Sequence, residues 1–355
     1  MDISRDIHIV GMFPEEIELW LQEHHEATFR SGQVFSWLHR HCVQDFSEMT
    51  NVPQATRELL TETFDMPLPL QLVITRTSVD GTEKYLFRLL DGATIETVLI
   101  PEYERDTICI STQVGCAMNC SFCATGRSGY LRNLTAAEIV AQVLWVQARL
   151  KAEERSITNV VYMGMGEPLA NYHSVLRSVR LLNYPQGLNL GARRLTISTC
   201  GLVPQIKALA EEDLQVNLAV SLHAVDDIRR SEIMPVNRRF PIHELLASCD
   251  YYTERTGRRV SYEYALISGF NDTVEQAEKL KDLLKGKLCH VNLIPINPVG
   301  PAQRPSAKRI LDFTRVLEKS GIAVSVRKER GTDIEAACGQ LRQSDQRGET
   351  VDPKV

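Results

Sequence analysis

The chain has 355 residues, 43% of them hydrophobic, and a formal net charge of −5. This length predicts a globular protein of about two domains or one large barrel with additions, and the negative charge argues against a general nucleic-acid coat protein. The sequence contains no run of about 18 apolar residues, so no membrane-spanning helix is predicted. The opening MDISRDIHIV lacks the basic start of a secretory signal. We therefore expect a cytoplasmic protein that does not enter a membrane.

Residues 1–65 predict a small helical accessory domain. Pro14 suits the first turn of one helix, and apolar residues recur at helical spacing in a second helix that begins at Ser31. A third helix is expected from Val52 to Phe64. The size and helical content of this region are typical of an accessory domain that helps to bind a substrate.

Residues 66–105 predict a short antiparallel β segment. The dipeptides Asp80-Gly81 and Asp91-Gly92 are typical of hairpin turns, and they separate runs with the alternation and β-branched residues of strands. The predicted strands are 70–74, 83–89 and 94–100. We expect them to form a small sheet that leads into the main domain.

Residues 106–341 predict an α/β domain, because strands and helices alternate. The predicted strands are 107–112, 158–163, 194–199, 216–222, 260–267 and 290–296, with one more near 322–328. The predicted helices are 135–150, 172–182, 203–211, 241–256, 273–285 and 306–319. Alternation of this kind indicates parallel strands with right-handed crossovers. Six units are too few for a closed eight-stranded barrel, so we predict an open, partial (β/α)6 barrel with functional groups at the carboxyl ends of its strands.

The cysteines favour metal binding or catalysis over disulfide bonds, because there are nine of them in a chain without an export signal. Cys116, Cys120 and Cys123 form a CxxxCxxC motif just past the first barrel strand. Three thiolates can hold three irons of a 4Fe–4S cluster and leave the fourth iron open to a ligand. Zinc is the competing interpretation, but zinc sites usually pair two CxxC halves, and no second half exists here.

A glycine-rich turn, MGMGEP at 163–168, follows the next predicted strand. Its glycines would allow the backbone to approach a ligand closely, and the Glu167 carboxylate can accept hydrogen bonds from an ammonium group. Together, the cysteine motif and this turn resemble those of radical S-adenosylmethionine enzymes, in which the open iron chelates the methionine part of S-adenosylmethionine.

A narrower resemblance covers nearly the whole chain and identifies it as a member of the RlmN/Cfr family of radical-SAM RNA methyltransferases. Seven blocks carry it in order: 95–101, 109–116, MGMGEPLAN at 163–171, 198–201, 221–224, HVNLIPINP at 290–298 and DIEAACGQL at 333–341. Pro168 and the segment QVFSW at 33–37 are similar to the branch that methylates C2 of adenosine. The branch that methylates C8 is the alternative.

The resemblance implies the ligands of the two cofactors. It assigns Cys116, Cys120 and Cys123 to the 4Fe–4S cluster. It assigns seven contacts to S-adenosylmethionine, each near a predicted strand end, namely Gly166, Glu167, Ser198, Ser221, Leu222, His223 and Asn297. For His223 alone, a structural hydrogen-bonding role is the ordinary alternative.

The resemblance also implies a catalytic set of Cys338, Cys109 and Glu96. Cys338 would take a methyl group from one S-adenosylmethionine, and a radical made from a second would activate that group for addition to the adenine carbon. Glu96 would remove the ring proton, unless Cys109 does so. Cys109 would then release the product by forming a disulfide with Cys338. The alternative for both thiols is that they are buried packing residues.

The implied partners are 23S rRNA in its peptidyl-transferase loop, adenosine 37 of tRNAs, and an electron donor such as flavodoxin. We expect a monomer. Paired cations that could meet RNA phosphates or remain solvated surface charges are Arg193-Arg194, Arg229-Arg230, Arg238-Arg239, Arg258-Arg259, Lys308-Arg309 and Arg327-Lys328. We expect Cys42, Cys200, Cys249 and Cys289 to be packing residues.

Two other classes of function remain open at this level. A radical-SAM enzyme that acts on a protein or a small molecule would share the cluster motif, but it would not need the methyl-carrying Cys338. An electron-carrying iron–sulfur protein would be expected to supply a fourth cysteine ligand. The polar tail, residues 342–355, is expected to be disordered.

Overall fold

The computed structural model describes residues 8–297 and 303–341, so the expected disorder of 342–355 lies outside the described residues. The helices are α1 Pro14–Glu23, α2 Ser31–Ser36, α3 Gln54–Phe64, α4 Ala124–Arg127, α5 Ala136–Lys151, α6 Tyr172–Asn183, α7 Val203–Glu211, α8 Asp227–Ile233, α9 Ile242–Thr256, α10 Val274–Leu284 and α11 Ala307–Lys319. The strands are β1 Leu70–Thr77, β2 Glu83–Leu89, β3 Thr94–Glu102, β4 Arg105–Cys109, β5 Gln113–Gly115, β6 Tyr130–Asn133, β7 Asn159–Tyr162, β8 Leu195–Thr199, β9 Asn217–Ser221, β10 Val260–Leu266, β11 Cys289–Pro295 and β12 Ala323–Val326.

The three predicted N-terminal helices are confirmed. Pro14 occupies the first turn of α1, and the Glu16 side chain accepts a hydrogen bond from the backbone N–H of Phe13, which caps the helix start. The second helix is shorter than its apolar pattern suggests, because α2 passes into a π-helical turn that ends where Cys42 adopts a left-handed backbone. Trp20 and Phe35 lie in the same hydrophobic core as the barrel helices, so these helices pack on the main body of the protein.

Ten strands form one sheet in the order β1-β2-β3-β4-β7-β8-β9-β10-β11-β12. From β4 to β12 every neighbouring pair is parallel, which confirms the predicted partial barrel. The antiparallel segment differs from the expectation of a separate small sheet, because β3 pairs with β4 over Val98–Glu102 and so extends the barrel sheet. The two hairpin turns are confirmed by Gly81 and Gly92, both with φ near +85°.

Four short elements were not predicted from the sequence, and three of them frame the cysteine motif. Strands β5 and β6 pair antiparallel on either side of it, and α4 begins directly after Cys123. Each of these three is only three or four residues long, which is too short to show the periodicity of a strand or helix. The fourth, α8, follows β9 and carries the paired cations Arg229-Arg230.

Helix α5 joins the antiparallel and parallel halves of the sheet through a buried glutamine. The Gln142 amide oxygen accepts hydrogen bonds from Thr97 Oγ1 of β3 and from the backbone N–H of Ser111, at 2.7 and 2.9 Å. Its amide nitrogen donates to the Ser111 carbonyl at 3.0 Å. Ser111 Oγ in turn donates to the Glu96 carbonyl and accepts from the Met165 N–H. One side chain therefore aligns β3, the end of β4 and the turn after β7.

Across residues 8–297 and 303–341, no helix is both long and apolar enough to cross a membrane.

Replacing Gln142 with Met should lower the free energy of unfolding by about 2–4 kcal/mol, because it leaves Thr97 Oγ1 and the Ser111 backbone groups buried without partners. Gln147→Met is the matched control on the same helix, since Gln147 accepts a single hydrogen bond, from the Ile157 N–H, and should cost about 1–2 kcal/mol. Urea unfolding followed by circular dichroism measures both. Equal losses in the two variants would contradict the joining role of Gln142.

Candidate functional site

Most of the predicted site residues line one cavity at the carboxyl ends of the parallel strands. Its volume is about 170 Å³. The predicted residues in its wall are Cys116, Cys120, Cys123, Gly166, Glu167, Ser198, Ser221, His223, Asn297 and Cys338. The chain therefore gathers these residues from six separate segments at the edge of the sheet where parallel barrels carry their chemistry.

The cysteine motif is held by the small hairpin around it. Gly115 has φ +76°, and a Cβ there would lie 2.0 Å from the Gly129 carbonyl oxygen, so only glycine allows the two strands to close. The Cys116 N–H donates to that carbonyl at 2.7 Å, and the Cys123 N–H donates to the Cys120 carbonyl at 3.1 Å. These bonds fold the motif into a compact loop that faces the cavity.

The three cysteines fit an iron–sulfur cluster better than a single metal ion. Among the described residues, no group of three or more His, Cys, Asp or Glu side chains is arranged to hold one ion. A cluster needs each thiolate on a different iron, so its cysteines line a cavity without converging on a point. Burial raises the pKa of Cys116 to about 11 and raises that of Cys120 further. Metal binding would therefore have to displace their protons.

The glycine turn serves strand packing as well as the cavity. A Cβ on Gly164 would lie 2.7 Å from the Ile110 carbonyl group, and one on Gly166, where φ is +105°, would lie 2.6 Å from Gln113 Cβ. Both glycines are therefore required by the close approach of this turn to the segment that follows β4. Close approach to a ligand was the only reason predicted for these glycines. Both do line the cavity, but strand packing requires them as well.

The Glu167 carboxylate is buried at the base of the cavity and already has two backbone partners. Oε1 accepts from the Leu169 N–H at 3.0 Å and Oε2 from the Cys200 N–H at 2.7 Å. Burial raises the pKa of Glu167 despite these hydrogen bonds. Each carboxylate oxygen can accept more than one hydrogen bond, so the group can fix the ends of β7 and β8 and still accept from an ammonium ligand.

His223 is a neutral acceptor in this structure. Its Nδ1 accepts from the Ala265 N–H at 2.9 Å, and burial lowers its pKa to about 3. Its ring packs edge-on against Phe122 of the cysteine loop, with ring centroids 4.9 Å apart. The side chain thus connects β9, β10 and the cysteine loop, and its remaining ring nitrogen is the one available to a ligand.

A larger cavity of about 530 Å³ adjoins the first, and both have Cys338 and Arg327 in their walls. Cys109 lines the larger cavity and is nearly buried, and burial raises its pKa to about 12. Cys338 is exposed, and Arg327 Nη1 donates to its sulfur at 2.9 Å. The two thiols predicted to act together therefore border one space.

The comparisons with known proteins agree with this geometry. A model described as Radical SAM superfamily matches residues 110–284, and one described as ribosomal RNA large subunit methyltransferase N-terminal domain matches residues 7–66. A probable dual-specificity RNA methyltransferase RlmN from Geobacillus thermodenitrificans is 46% identical over 96% of this chain and 94% of its own. Its counterpart from Bacillus thuringiensis subsp. konkukian is 46% identical over 98% and 96%. The chain belongs to the RlmN family.

A solved structure supports the same conclusion about the fold. A radical SAM methyltransferase from Sphaerobacter thermophilus superimposes with a TM-score of 0.93 and 49% identity, over 95% of this chain and 99% of that one. The resemblance drawn from the seven sequence blocks is thereby confirmed, as is the radical-SAM partial barrel. Membership of the RlmN family implies a 4Fe–4S cluster and S-adenosylmethionine, and the cavity walls described above fit both.

Two predicted residues lie outside the cavity walls. Leu222 is fully buried, and its backbone N–H donates to the Glu263 carbonyl at 3.0 Å. Glu96 is also fully buried, and its carboxylate lies 3.2 Å from Lys84 Nζ. Glu96 is therefore not an ordinary exposed strand carboxylate. Its role as a proton acceptor stays a prediction.

Two arginines of the site were missed, because both belong to paired cations interpreted as surface charge or phosphate contacts. Arg230 is completely buried and donates to the carbonyls of Cys200, Ser221 and Leu222, at 2.7–3.1 Å. It thus ties β8 to β9 beneath the cavity. Arg327 is half-buried beside Cys338. Only Arg327 directly follows a strand, and that position alone hinted at an inward direction.

The segment from 329 to 341, called the return loop below, brings Cys338 back to the cysteine motif. The Ala124 N–H donates to the Gly339 carbonyl at 2.7 Å, and Thr125 Oγ1 donates to the Leu341 carbonyl at 2.6 Å. Lys84 Nζ donates to the Glu335 carbonyl at 3.2 Å. Strand β2 therefore holds the middle of the return loop, and helix α4 holds its carboxyl end.

The remaining cysteines behave largely as predicted. Cys42 and Cys249 are buried in the hydrophobic core, and Cys289 is partly buried against it. Cys200 is buried but also lines the smaller cavity, next to Glu167. It is a packing residue that the site includes in its wall.

Lys84→Met should destabilise the protein by about 3–5 kcal/mol, because it removes the Lys84 cation from the buried Glu96 carboxylate. The double variant Lys84→Met/Glu96→Leu should recover most of this loss, since the buried carboxylate is removed together with the cation. Guanidinium unfolding of both variants and the wild type provides the comparison. A single variant within about 1 kcal/mol of the wild type would show that the buried ion pair does not form.

Proposed function

We propose that this chain methylates C2 of adenosine in the peptidyl-transferase loop of 23S rRNA and at position 37 of tRNAs. The observation that carries the proposal is the position of Cys338, which lies in the walls of both cavities and shares the larger one with Cys109. The smaller cavity has the ligand set for a cluster and S-adenosylmethionine. The larger one has room for a nucleobase.

The residues of the smaller cavity would hold and orient the cofactors. Cys116, Cys120 and Cys123 would bind the cluster, which supplies the electron that splits S-adenosylmethionine into a radical and methionine. Glu167 would accept from the methionine ammonium. The further contacts proposed from the family resemblance are Gly166, Ser198, Ser221, Leu222, His223 and Asn297. Two molecules of S-adenosylmethionine would be used per turnover, one for the methyl group and one for the radical.

The two thiols would have different tasks. The exposed sulfur of Cys338 would carry the methyl group and form the bond to the adenine carbon. The buried Cys109 would end the cycle by attacking the Cys338 sulfur, which releases the product and leaves a disulfide. Glu96 or Cys109 would accept the ring proton. Cys109 lines the cavity that would hold the base, whereas Glu96 is paired with Lys84.

The larger cavity suits an unpaired adenosine. Asn292 and Ser325 provide hydrogen-bonding groups in its wall, and Arg105, Lys328 and Arg330 provide positive charge for phosphates. A base enters such a pocket only when it leaves its stack, which a loop nucleotide does at low cost. The net charge of −5 means that RNA attraction would be local, at this rim.

The division of labour along the chain is part of the proposal. Residues 1–65 would form an accessory domain that contacts RNA, 66–105 the antiparallel segment and 106–341 the catalytic domain, with 342–355 a tail. The enzyme would work as a monomer in the cytoplasm, where its RNA substrates are, and would receive electrons from a donor such as flavodoxin.

The test is a product analysis. Anaerobically reconstituted protein with S-adenosylmethionine, reductant and protein-free 23S rRNA should yield 2-methyladenosine when digested nucleosides are analysed by mass spectrometry. Cys338→Ala should abolish the product, because no methyl carrier remains. Cys109→Ala should accumulate an RNA–protein adduct, visible as a slow band on a denaturing gel. Cys289→Ala, a cysteine distant from both cavities, should retain activity.

Two other outcomes have clear meanings. 8-Methyladenosine as the product would assign the chain to the C8-methylating branch with the same thiol chemistry. Formation of 5′-deoxyadenosine without any methylated adenosine would preserve the radical-SAM chemistry and contradict RNA as the substrate.

A further inference from the structure

Cys109 and Cys338, the two thiols in the wall of the larger cavity, have different electrostatic surroundings. Cys109 lies at the end of β4 with about 7% of its surface exposed, whereas Cys338 is exposed on the return loop. Arg327 Nη1 donates a hydrogen bond to Cys338 Sγ across 2.9 Å. A thiol in contact with a guanidinium ionises more readily, whereas an apolar burial site keeps a thiol protonated.

The guanidinium of Arg327 is fixed from several sides. The Arg327 backbone N–H donates to the Leu293 carbonyl of β11 at 2.9 Å, and Nη2 lies 3.8 Å from the Met163 sulfur. The buried carboxylate of Glu263 on β10 interacts with it electrostatically. Strands β10 and β11 and the turn after β7 therefore direct Arg327 towards Cys338.

We propose that Arg327 stabilises the negative charge of the Cys338 sulfur as that sulfur accepts a methyl group from a sulfonium donor, and so decides which of the two thiols of the larger cavity is methylated. The inference rests on the proposed function, which makes Cys338 the methyl carrier. It adds a residue that acts directly on the reacting sulfur.

The methyl transfer balances without another reactant. The Cys338 proton leaves to solvent when the thiolate forms beside Arg327. The thiolate sulfur then uses an electron pair to form its bond to the methyl carbon. The bond between that carbon and the donor sulfur breaks, and its electron pair remains on a neutral thioether. No electron enters or leaves the protein in this step.

Other charges near the two thiols do not reproduce this contact. Burial is the main cause of the raised pKa of Cys109, about 12, and the charge of Cys338 adds to it, so Cys109 is protonated near neutral pH. The charge of Cys338 is also the main reason that the pKa of Arg327 is raised. The other charged groups in the wall of the larger cavity are Glu102, Arg105, Lys328, Glu329 and Arg330. Glu102 and Arg105 are themselves within 3.7 Å of each other.

Methylation would also end the contact. A thioether is neutral and a weak hydrogen-bond acceptor, so the methylated sulfur loses its charge-assisted bond to Arg327. Glu263 remains as a counter-charge for the guanidinium. The methylated side chain can then turn into the larger cavity, where the proposed substrate base lies.

The experiment uses full-length protein with its cluster reconstituted, and needs no RNA. Iodoacetamide pulses between pH 6 and 10, followed by peptide mass spectrometry, give the pH at which Cys338 is half-maximally alkylated. Arg327→Met should raise this midpoint by roughly one unit, the usual effect of losing an adjacent opposite charge. Arg327→Lys should restore most of it. Arg105→Met, which removes a cation from the same cavity wall, should leave it unchanged.

A second readout follows the methyl transfer itself. Single-turnover incubation with S-adenosylmethionine should add one methyl to Cys338 in the wild type and none to Cys109. In Arg327→Met the rate at neutral pH should fall about three- to tenfold. We expect a decrease smaller than the lost ionisation alone would cause, because a thiolate of higher pKa is a better nucleophile.

The outcomes separate this inference from the proposed function. If the wild type methylates Cys338 and Arg327→Met does so at the same rate with the same alkylation midpoint, the role of Arg327 is overturned while the methyl carrier stands. If the wild type itself fails to methylate Cys338 although its cluster is loaded, the proposed function fails. An Arg327→Lys variant as impaired as Arg327→Met in both readouts would also count against a charge effect.

Discussion

The attachment of the return loop to the cysteine motif is the constraint on which the site depends. The chain leaves the barrel after β12, and its last described segment comes back across the strand ends to bond with α4 through the Gly339 and Leu341 carbonyls. That closure puts Cys338 in the walls of both cavities. Without it, the barrel would still present a cysteine loop and a glycine turn, but Cys338 would not lie between the two cavities.

Buried polar side chains keep the strand ends in place beneath the return loop. Glu167 joins β7 to β8 and Arg230 joins β8 to β9, each through backbone groups that parallel strands leave unpaired at their ends. His223 connects β9 with β10. Buried polar groups are tolerated when they are hydrogen-bonded, and here the bonds fix the edge of the sheet that lines the cavity. The same residues serve the scaffold and the site.

Much of the fold was readable from the sequence because the barrel elements are long and periodic. The predicted helix 135–150 is α5 at Ala136–Lys151, and the strand 194–199 is β8 at Leu195–Thr199. The joining of β3 to β4 was not predicted, since pairing partners depend on how the chain turns after Glu102. The hairpin around the cysteines was missed because its strands are too short to show a pattern.

The site residues that belong to sequence motifs could be predicted, whereas those defined by a charged or polar partner elsewhere in the chain could not. The cysteines, Glu167 and His223 were located by spacing and resemblance. Arg230 and Arg327 look like surface cations in the sequence, and only the three-dimensional arrangement shows one buried among carbonyls and the other against a thiol. The family resemblance singled out Glu96, but its partner Lys84 lies on the neighbouring strand, and no pattern in the sequence indicates that the two side chains pair.

The proposed function requires Cys116, Cys120 and Cys123 to hold a cluster whose open iron would meet the methionine end of S-adenosylmethionine inside the smaller cavity. Electron–nuclear double resonance on the reduced, reconstituted protein detects such a contact when the methionine amino group is labelled with ¹⁵N. We expect a strong ¹⁵N coupling that disappears in a Cys120→Ala variant. A reduced cluster whose spectrum does not change after S-adenosylmethionine is added would show that these cysteines do not form that site.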